Sequence, residues 1–175
     1  MTKQIPIMPD HGHEAPRETA ISVAFRNVLS TMHAFIDAER DLEDIAHSQD
    51  PAYSAWATDT EQAYENLADA LAGVHCLPIE LHEDMPLKRM ARFADAMIGH
   101  EEPGGARALD AEIQMAFFTR FQASGLSQTA MHRNGLLIHA RHLVSAMISL
   151  PLFDCTPVDE PLAVDSRAGE LVLDC

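Results

Sequence analysis

Apolar residues recur at intervals of three and four positions through long segments of this chain, and this spacing is the feature that most constrains its fold. In the first such segment, residues 17–47, the apolar positions are Ile21, Phe25, Val28, Met32, Phe35, Leu42 and Ala46. This spacing follows the 3.6-residue period of an α-helix that buries one face. The period returns in later segments, so the sequence predicts an all-α protein.

Prolines, glycines and capping residues set the limits of the predicted helices. Five helices are predicted, over residues 17–47, 51–72, 86–98, 106–123 and 128–150. Gly73 is expected to end the second helix and Ser127 to cap the fifth. The fourth helix carries phenylalanines on several sides and is expected to lie at the centre. With residues 1–16 as an irregular arm and 151–175 as an extended tail, the prediction is a single-domain antiparallel bundle over residues 17–150.

Charge and cysteine content narrow the classes of function. The net charge is −15, although residues 106–150 carry four Arg against two acidic residues. A surface this acidic repels nucleic acid at long range and suits basic protein partners. The N-terminal residues lack a signal-peptide core, and no apolar run reaches the ~18–20 residues of a membrane span. Because Cys76, Cys155 and Cys175 form no C-x-x-C pair, we expect a cytoplasmic protein without membrane association.

The first predicted helix carries polar residues on the face where apolar ones are expected. Glu39, Glu43 and His47 are spaced four residues apart, and Glu39 falls on the centre line of the apolar seam. On the fifth predicted helix, His132 and His139 flank the seam. Imidazoles and carboxylates from facing helices bind Zn, Fe or Mn in metal-containing bundles. These five residues therefore form one candidate site for a divalent metal with hydrolytic or redox chemistry.

The same positions also fit a buried ion-pair network without a metal. Arg120 lies near the seam of the fourth predicted helix, and Arg133 flanks the seam of the fifth. Either guanidinium can neutralise Glu39 or Glu43 and fix the register of the helices. The E-x-x-H pairs that di-metal bundles carry on two helices are absent from the sequence. That absence favours the ion pairs, and we expect no cofactor.

A short stretch between the fourth and fifth predicted helices resembles a DNA-binding motif. The run Gly125-Leu126-Ser127-Gln128, followed by Thr129, Met131 and Arg133, resembles the turn and recognition-helix start of helix-turn-helix regulators. The resemblance implies DNA contacts by Gln128, Thr129 and Arg133. It departs from the motif at Phe121, where those regulators carry a small residue. A glycine turn and a serine cap also describe an ordinary helix start.

The remaining patterns favour a binding protein over an enzyme. The sequence contains no G-x-S-x-G, no Walker phosphate loop and no dinucleotide fingerprint, and no catalytic residue is assigned. Apolar residues outside the main seams, Phe118 and Ile138 among them, predict a second covered face and hence a homodimer. We expect an acidic helical interaction or regulatory protein without catalytic activity, able to bind a basic protein. The alternatives are the metal-binding bundle and the helix-turn-helix DNA-binding regulator.

Overall fold

The computed structural model describes residues 15–45, 53–100 and 105–153, and within these ranges the chain is a bundle of α-helices. The helices are α1 (Ala20–Ile45), α2 (Tyr53–Cys76), α3 (Met85–Ile98), α4 (Gly105–Arg120) and α5 (Gln128–Ile148), with short 3₁₀ turns at His82–Asp84 and Pro151–Phe153. No strand occurs in the described residues, and none of their helices is long and apolar enough to cross a membrane. The predicted all-α bundle is confirmed. Residues 1–14 of the predicted arm and the tail beyond Phe153 lie outside the described residues. The first three residues of the predicted extended tail form the 3₁₀ turn Pro151–Phe153.

The first two helices run in opposite directions, and so do the last two. In α1 and α2, Phe35 packs edge-on against Tyr64 at 5.9 Å between ring centroids. The hydroxyl of Thr60 donates to the carbonyl of Ala38 at 3.3 Å, so residue numbers rise along one helix as they fall along the other. The same inverse pairing joins α4 to α5 through side-chain contacts along both helices. These contacts show the predicted antiparallel order for α1 with α2 and for α4 with α5.

The shortest of the described helices, α3, lies at the centre of the bundle. It contacts α1, α2, α4 and α5, and its Leu87, Ala91 and Met97 have no exposed surface. By contrast, α4 packs mainly against α3 and α5 and leaves Met115 87% and Phe118 64% exposed. The expectation that α4 lies at the centre is therefore wrong. The apolar residues on the outer side of α4 face away from the core.

Helix boundaries agree with the prediction where a capping residue sets the boundary, and they differ where tertiary packing sets it. The Ser127 hydroxyl accepts a hydrogen bond from the amide of Ala130 at 3.0 Å, so the predicted cap of α5 is confirmed. However, α2 continues past Gly73 to Cys76. Val74 has no exposed surface, and its burial is worth about 1.5–3 kcal/mol, more than the ~1 kcal/mol penalty of a helical glycine.

The predicted apolar seam of α1 is buried from Ile21 to Phe35 and becomes partly exposed towards the end of the helix. Five of its apolar side chains are 1% exposed or less, namely Ile21, Phe25, Val28, Met32 and Phe35. Further along, Glu39 and Leu42 are only half-buried. A cavity lies beside these two half-buried residues.

Candidate functional site

A cavity of about 490 Å³ lies where the apolar seam of α1 ends. Its walls come from α1, α2, the end of α3 and the turn that follows α5. Three aromatic side chains line it, from Phe35, Tyr64 and Phe153, together with the carboxylates of Glu39 and Glu61. A cavity of this size, mostly apolar and with a few polar groups, is typical of small-molecule sites.

Glu39 is a half-buried carboxylate in the wall of this cavity. Its removal from water raises the pKa of the carboxyl group above the ordinary value of 4.5. The nearby hydroxyl of Thr60 donates to the backbone carbonyls of Ala38 and Trp56, at 3.3 and 3.1 Å, rather than to Glu39. No hydrogen bond or ion pair joins Glu39 to another described residue. The carboxylate is therefore without a partner in the part of the chain that the structure describes.

The residues predicted to form a metal site do not lie together. Glu43 is exposed on α1, and His47 is outside the described residues. On α5, His139 is exposed and lines a separate groove against the middle of α1, while His132 lies near Glu18 at the start of α1. Among the residues that the structure describes, no group of three or more His, Cys, Asp or Glu side chains is placed to hold a metal ion.

The guanidinium of Arg133 is fully buried and has a partner that the sequence did not suggest. Its Nε donates to Oδ1 of Asp84 at 2.9 Å, and both side chains are 0% exposed. Its Nη2 donates to the carbonyl of Arg17 at 2.8 Å and to the hydroxyl of Thr19 at 3.2 Å. Arg133 thus joins α5 to the residues that precede α1 and α3.

Neither Glu39 nor Glu43 pairs with the arginines proposed for them. Arg133 contacts Thr19, which immediately precedes α1, and Glu39 lies about 30 Å further along that helix at 1.5 Å per residue. Arg120 is exposed and forms an ion pair with Glu112 on its own helix. The network therefore pairs Arg133 with Asp84, and the glutamates of α1 have no part in it.

His132 lies beside the buried network and is held in its neutral form. Its Nδ1 is 2.9 Å from Nη1 of Arg133, and because a guanidinium only donates, Nδ1 is the acceptor. Partial burial and then the positive charges of Arg133 and Arg26 lower the pKa of His132 below 6.5, against a smaller opposing effect of Glu18. The ring therefore satisfies a donor of Arg133.

The residues that resemble a recognition helix are mostly engaged inside the chain. Arg133 has no exposed surface and cannot reach DNA in this fold. The hydroxyl of Thr129 accepts a hydrogen bond from the amide of Arg17 at 2.9 Å, whereas Gln128 is exposed. Gly125 has a φ of 107°, a conformation that residues with a side chain rarely adopt. The glycine turn and serine cap here begin an ordinary packed helix.

Asp84 is the main buried polar residue that sequence reasoning missed. It directly precedes α3, where an acidic residue is usually an exposed helix cap, yet it makes no side-chain capping bond. It lies 49 residues before Arg133, so no helical spacing connects the two.

Comparison of the chain with protein-family models, with curated proteins and with solved structures finds no match.

Proposed function

We propose that this protein is a non-catalytic interaction protein that forms a homodimer through the outer face of α4 and α5. The observation that carries the proposal is a set of exposed apolar side chains, here called the α4–α5 face: Met115, Phe118, Met131 and Ile138, at 87%, 64%, 49% and 45% exposure. An exposed apolar patch of this kind is typical of a protein–protein contact.

The geometry of the two helices brings three of these side chains to neighbouring positions. The fourth, Met131, lies two turns before Ile138 on the same side of α5. Met115 and Phe118 are about one helical turn apart on α4. The guanidinium of Arg141 lies 5.7 Å from the ring centroid of Phe118, and Ile138 is one turn before Arg141 on α5. A second copy can therefore cover both helices at once. A two-fold contact would use the same patch on each chain.

Charge also favours this face over the rest of the molecule. Residues 106–150 carry three Arg outside the core against Asp110 and Glu112, the fourth, Arg133, being buried, whereas the whole chain has a net charge of −15. Two such molecules repel each other, and contact through α4 and α5 keeps the acidic α1 and α2 on the outside. Residues 37–69 carry ten acidic residues against Arg40, which suits a basic protein as a further partner. The unpaired, exposed Cys76 agrees with a cytoplasmic location for this proposal.

Sedimentation equilibrium of the wild type and of Met115→Glu tests the dimer. Burial of a Met side chain is worth about 1.5–3 kcal/mol and occurs twice in a two-fold dimer, so the variant should weaken dimerisation by roughly a hundredfold or more. Val23→Glu is the matched control, because Val23 is 50% exposed on α1 and the substitution changes the net charge equally. A wild type that remains a 19.3 kDa monomer at all concentrations, or an equal loss in the control, would contradict the proposal.

A further inference from the structure

We propose that the cavity between α1, α2 and the end of α3 binds a small hydrophobic ammonium ion, with Glu39 as its charged partner. The proposed site uses no residue of the α4–α5 face, so it does not depend on dimerisation. Its support comes from the lining of the cavity, from the charge around it, and from the unpartnered state of one carboxylate.

The lining of the cavity suits the apolar part and the positive charge of such a ligand. Phe35, Tyr64 and Phe153 contribute aromatic rings, and Leu42 and Ile98 contribute aliphatic surface. Aromatic rings attract cations through the negative potential of their faces, and ammonium ligands are commonly recognised in this way. The volume of about 490 Å³ lies within the range of cavities that enclose small organic molecules.

The charges around the cavity select a cation over an anion. Glu39 and Glu61 line it on facing helices, and the other ionisable lining groups are the imidazole of His100 and the phenol of Tyr64. Residues 37–69 as a whole carry ten acidic residues against one Arg, which raises the local concentration of cations.

Glu39 is the residue best placed to bind the ammonium group. It is half-buried and has no hydrogen-bond or ion-pair partner among the described residues. Burial of this unneutralised carboxylate raises its pKa. A bound ammonium ion would supply the missing opposite charge and lower that pKa again. Cation binding and ionisation of Glu39 should therefore favour each other.

The main competing occupant is the chain's own C-terminal segment. Residues 154–175 follow Phe153 at the edge of the cavity, and they carry six acidic residues against Arg167. A segment of that charge is repelled by Glu39 and Glu61. Charge complementarity therefore points to a cationic ligand from outside the chain.

Isothermal titration calorimetry of the full chain at neutral pH provides the test. The probes are decylammonium and decanoate below their micellar concentrations and decanol below its solubility limit. These probes share a tail and differ in the charge of the head group. Decylammonium should bind with a stoichiometry of one per chain and more tightly than decanol, and decanoate should bind most weakly. Glu39→Gln should weaken decylammonium about tenfold or more, because a charged hydrogen-bonded pair is lost, and should leave decanol nearly unchanged.

Glu43→Gln is the matched control. It removes the same charge one turn further along α1, from an exposed residue that does not line the cavity. Equal losses in the two variants would mean that decylammonium is attracted only by the acidic surface, and the proposal would fail. Equal affinity for all three probes would show that the cavity binds the apolar tail without selecting the charge of the head group, and this too would contradict the proposal. Absence of binding would contradict the proposal as well.

Two further measurements fix the location of the site. Ala57→Phe, which adds a ring to the cavity wall, should weaken decylammonium and decanol alike, and retention of both affinities would place binding elsewhere. In the wild type, affinity for decylammonium should rise with pH as Glu39 ionises. Glu39→Gln keeps the other ionisable lining groups, Glu61, His100 and Tyr64, and should reduce this rise. An unchanged pH profile in that variant would exclude Glu39 as the partner.

Discussion

Asp84→Asn is expected to destabilise the folded protein by about 3–5 kcal/mol, because it leaves the buried charge of Arg133 without a counter-charge. The side chains of Asp84 and Arg133 are both 0% exposed and are joined at 2.9 Å. A guanidinium cannot release its proton at any pH at which proteins fold. The remaining acceptors of Arg133 are all neutral: the carbonyl of Arg17, the hydroxyl of Thr19 and the ring of His132.

This loss is large relative to the stability of a domain of this size. Native domains are stable by about 5–15 kcal/mol, and each kcal/mol shifts the melting temperature of a domain this size by roughly 2–4 °C. Asp84→Asn should therefore lower the melting temperature by about 6–20 °C. The matched control is Glu112→Gln, which breaks the ion pair with Arg120, where both side chains are more than half exposed. Exposed pairs of this kind contribute only about 0–1 kcal/mol.

Urea unfolding followed by far-ultraviolet circular dichroism measures both effects on one scale. The double variant Asp84→Asn/Arg133→Met removes both charges and should lose less stability than the sum of the single variants, since neither charge remains buried alone. If Asp84→Asn stays within about 1 kcal/mol of the wild type, as the exposed pair does, the pair has little weight and the reasoning is refuted.

Two further predictions concern pH. Because burial raises the pKa of Glu39 above 4.5, its ionised form opposes folding, and stability is lost as pH rises through and above 4.5. In urea unfolding, Glu39→Gln should therefore be more stable than the wild type at neutral pH and equal to it in acid, and a constant difference between the two at all pH values would contradict this. Because the pKa of His132 lies below 6.5 in the folded chain, the unfolded chain binds the proton first as pH falls, and stability decreases below pH 6.5. His132→Asn should reduce this dependence of stability on pH between about pH 7 and 5. If the dependence is unchanged in the variant, His132 does not cause it.

The helical nature of the chain and the buried stripe of its first helix could be predicted from sequence. The 3.6-residue period depends only on which residues are apolar, so the buried stripe from Ile21 to Phe35 was correctly assigned. Ser127 was likewise recognised as a cap, because a cap is a local contact between a side chain and an amide a few residues later. Such local interactions depend only on residues that are close together in the sequence.

Burial of one side of a helix, in contrast, depends on its neighbours. The apolar residues around α4 predicted a central helix, yet Met115 and Phe118 are exposed because α3 occupies the centre. The same limit applies to α2, where the burial of Val74 carries the helix past Gly73. The periodicity of a single helix shows that an apolar face exists and leaves open which partner covers it.

Polar contacts were the least predictable feature, because they join residues far apart in the chain. The sequence placed Arg133 beside a buried seam, but its carboxylate partner, Asp84, lies 49 residues away, and its backbone acceptor at Arg17 lies 116 residues away. Glu39 continues the spacing of the α1 seam, while the cavity that it lines needs walls from α2, α3 and the turn after α5. Helix type follows from local spacing. Charge pairing and cavity shape depend on how the five described helices meet, and only the tertiary structure specifies that.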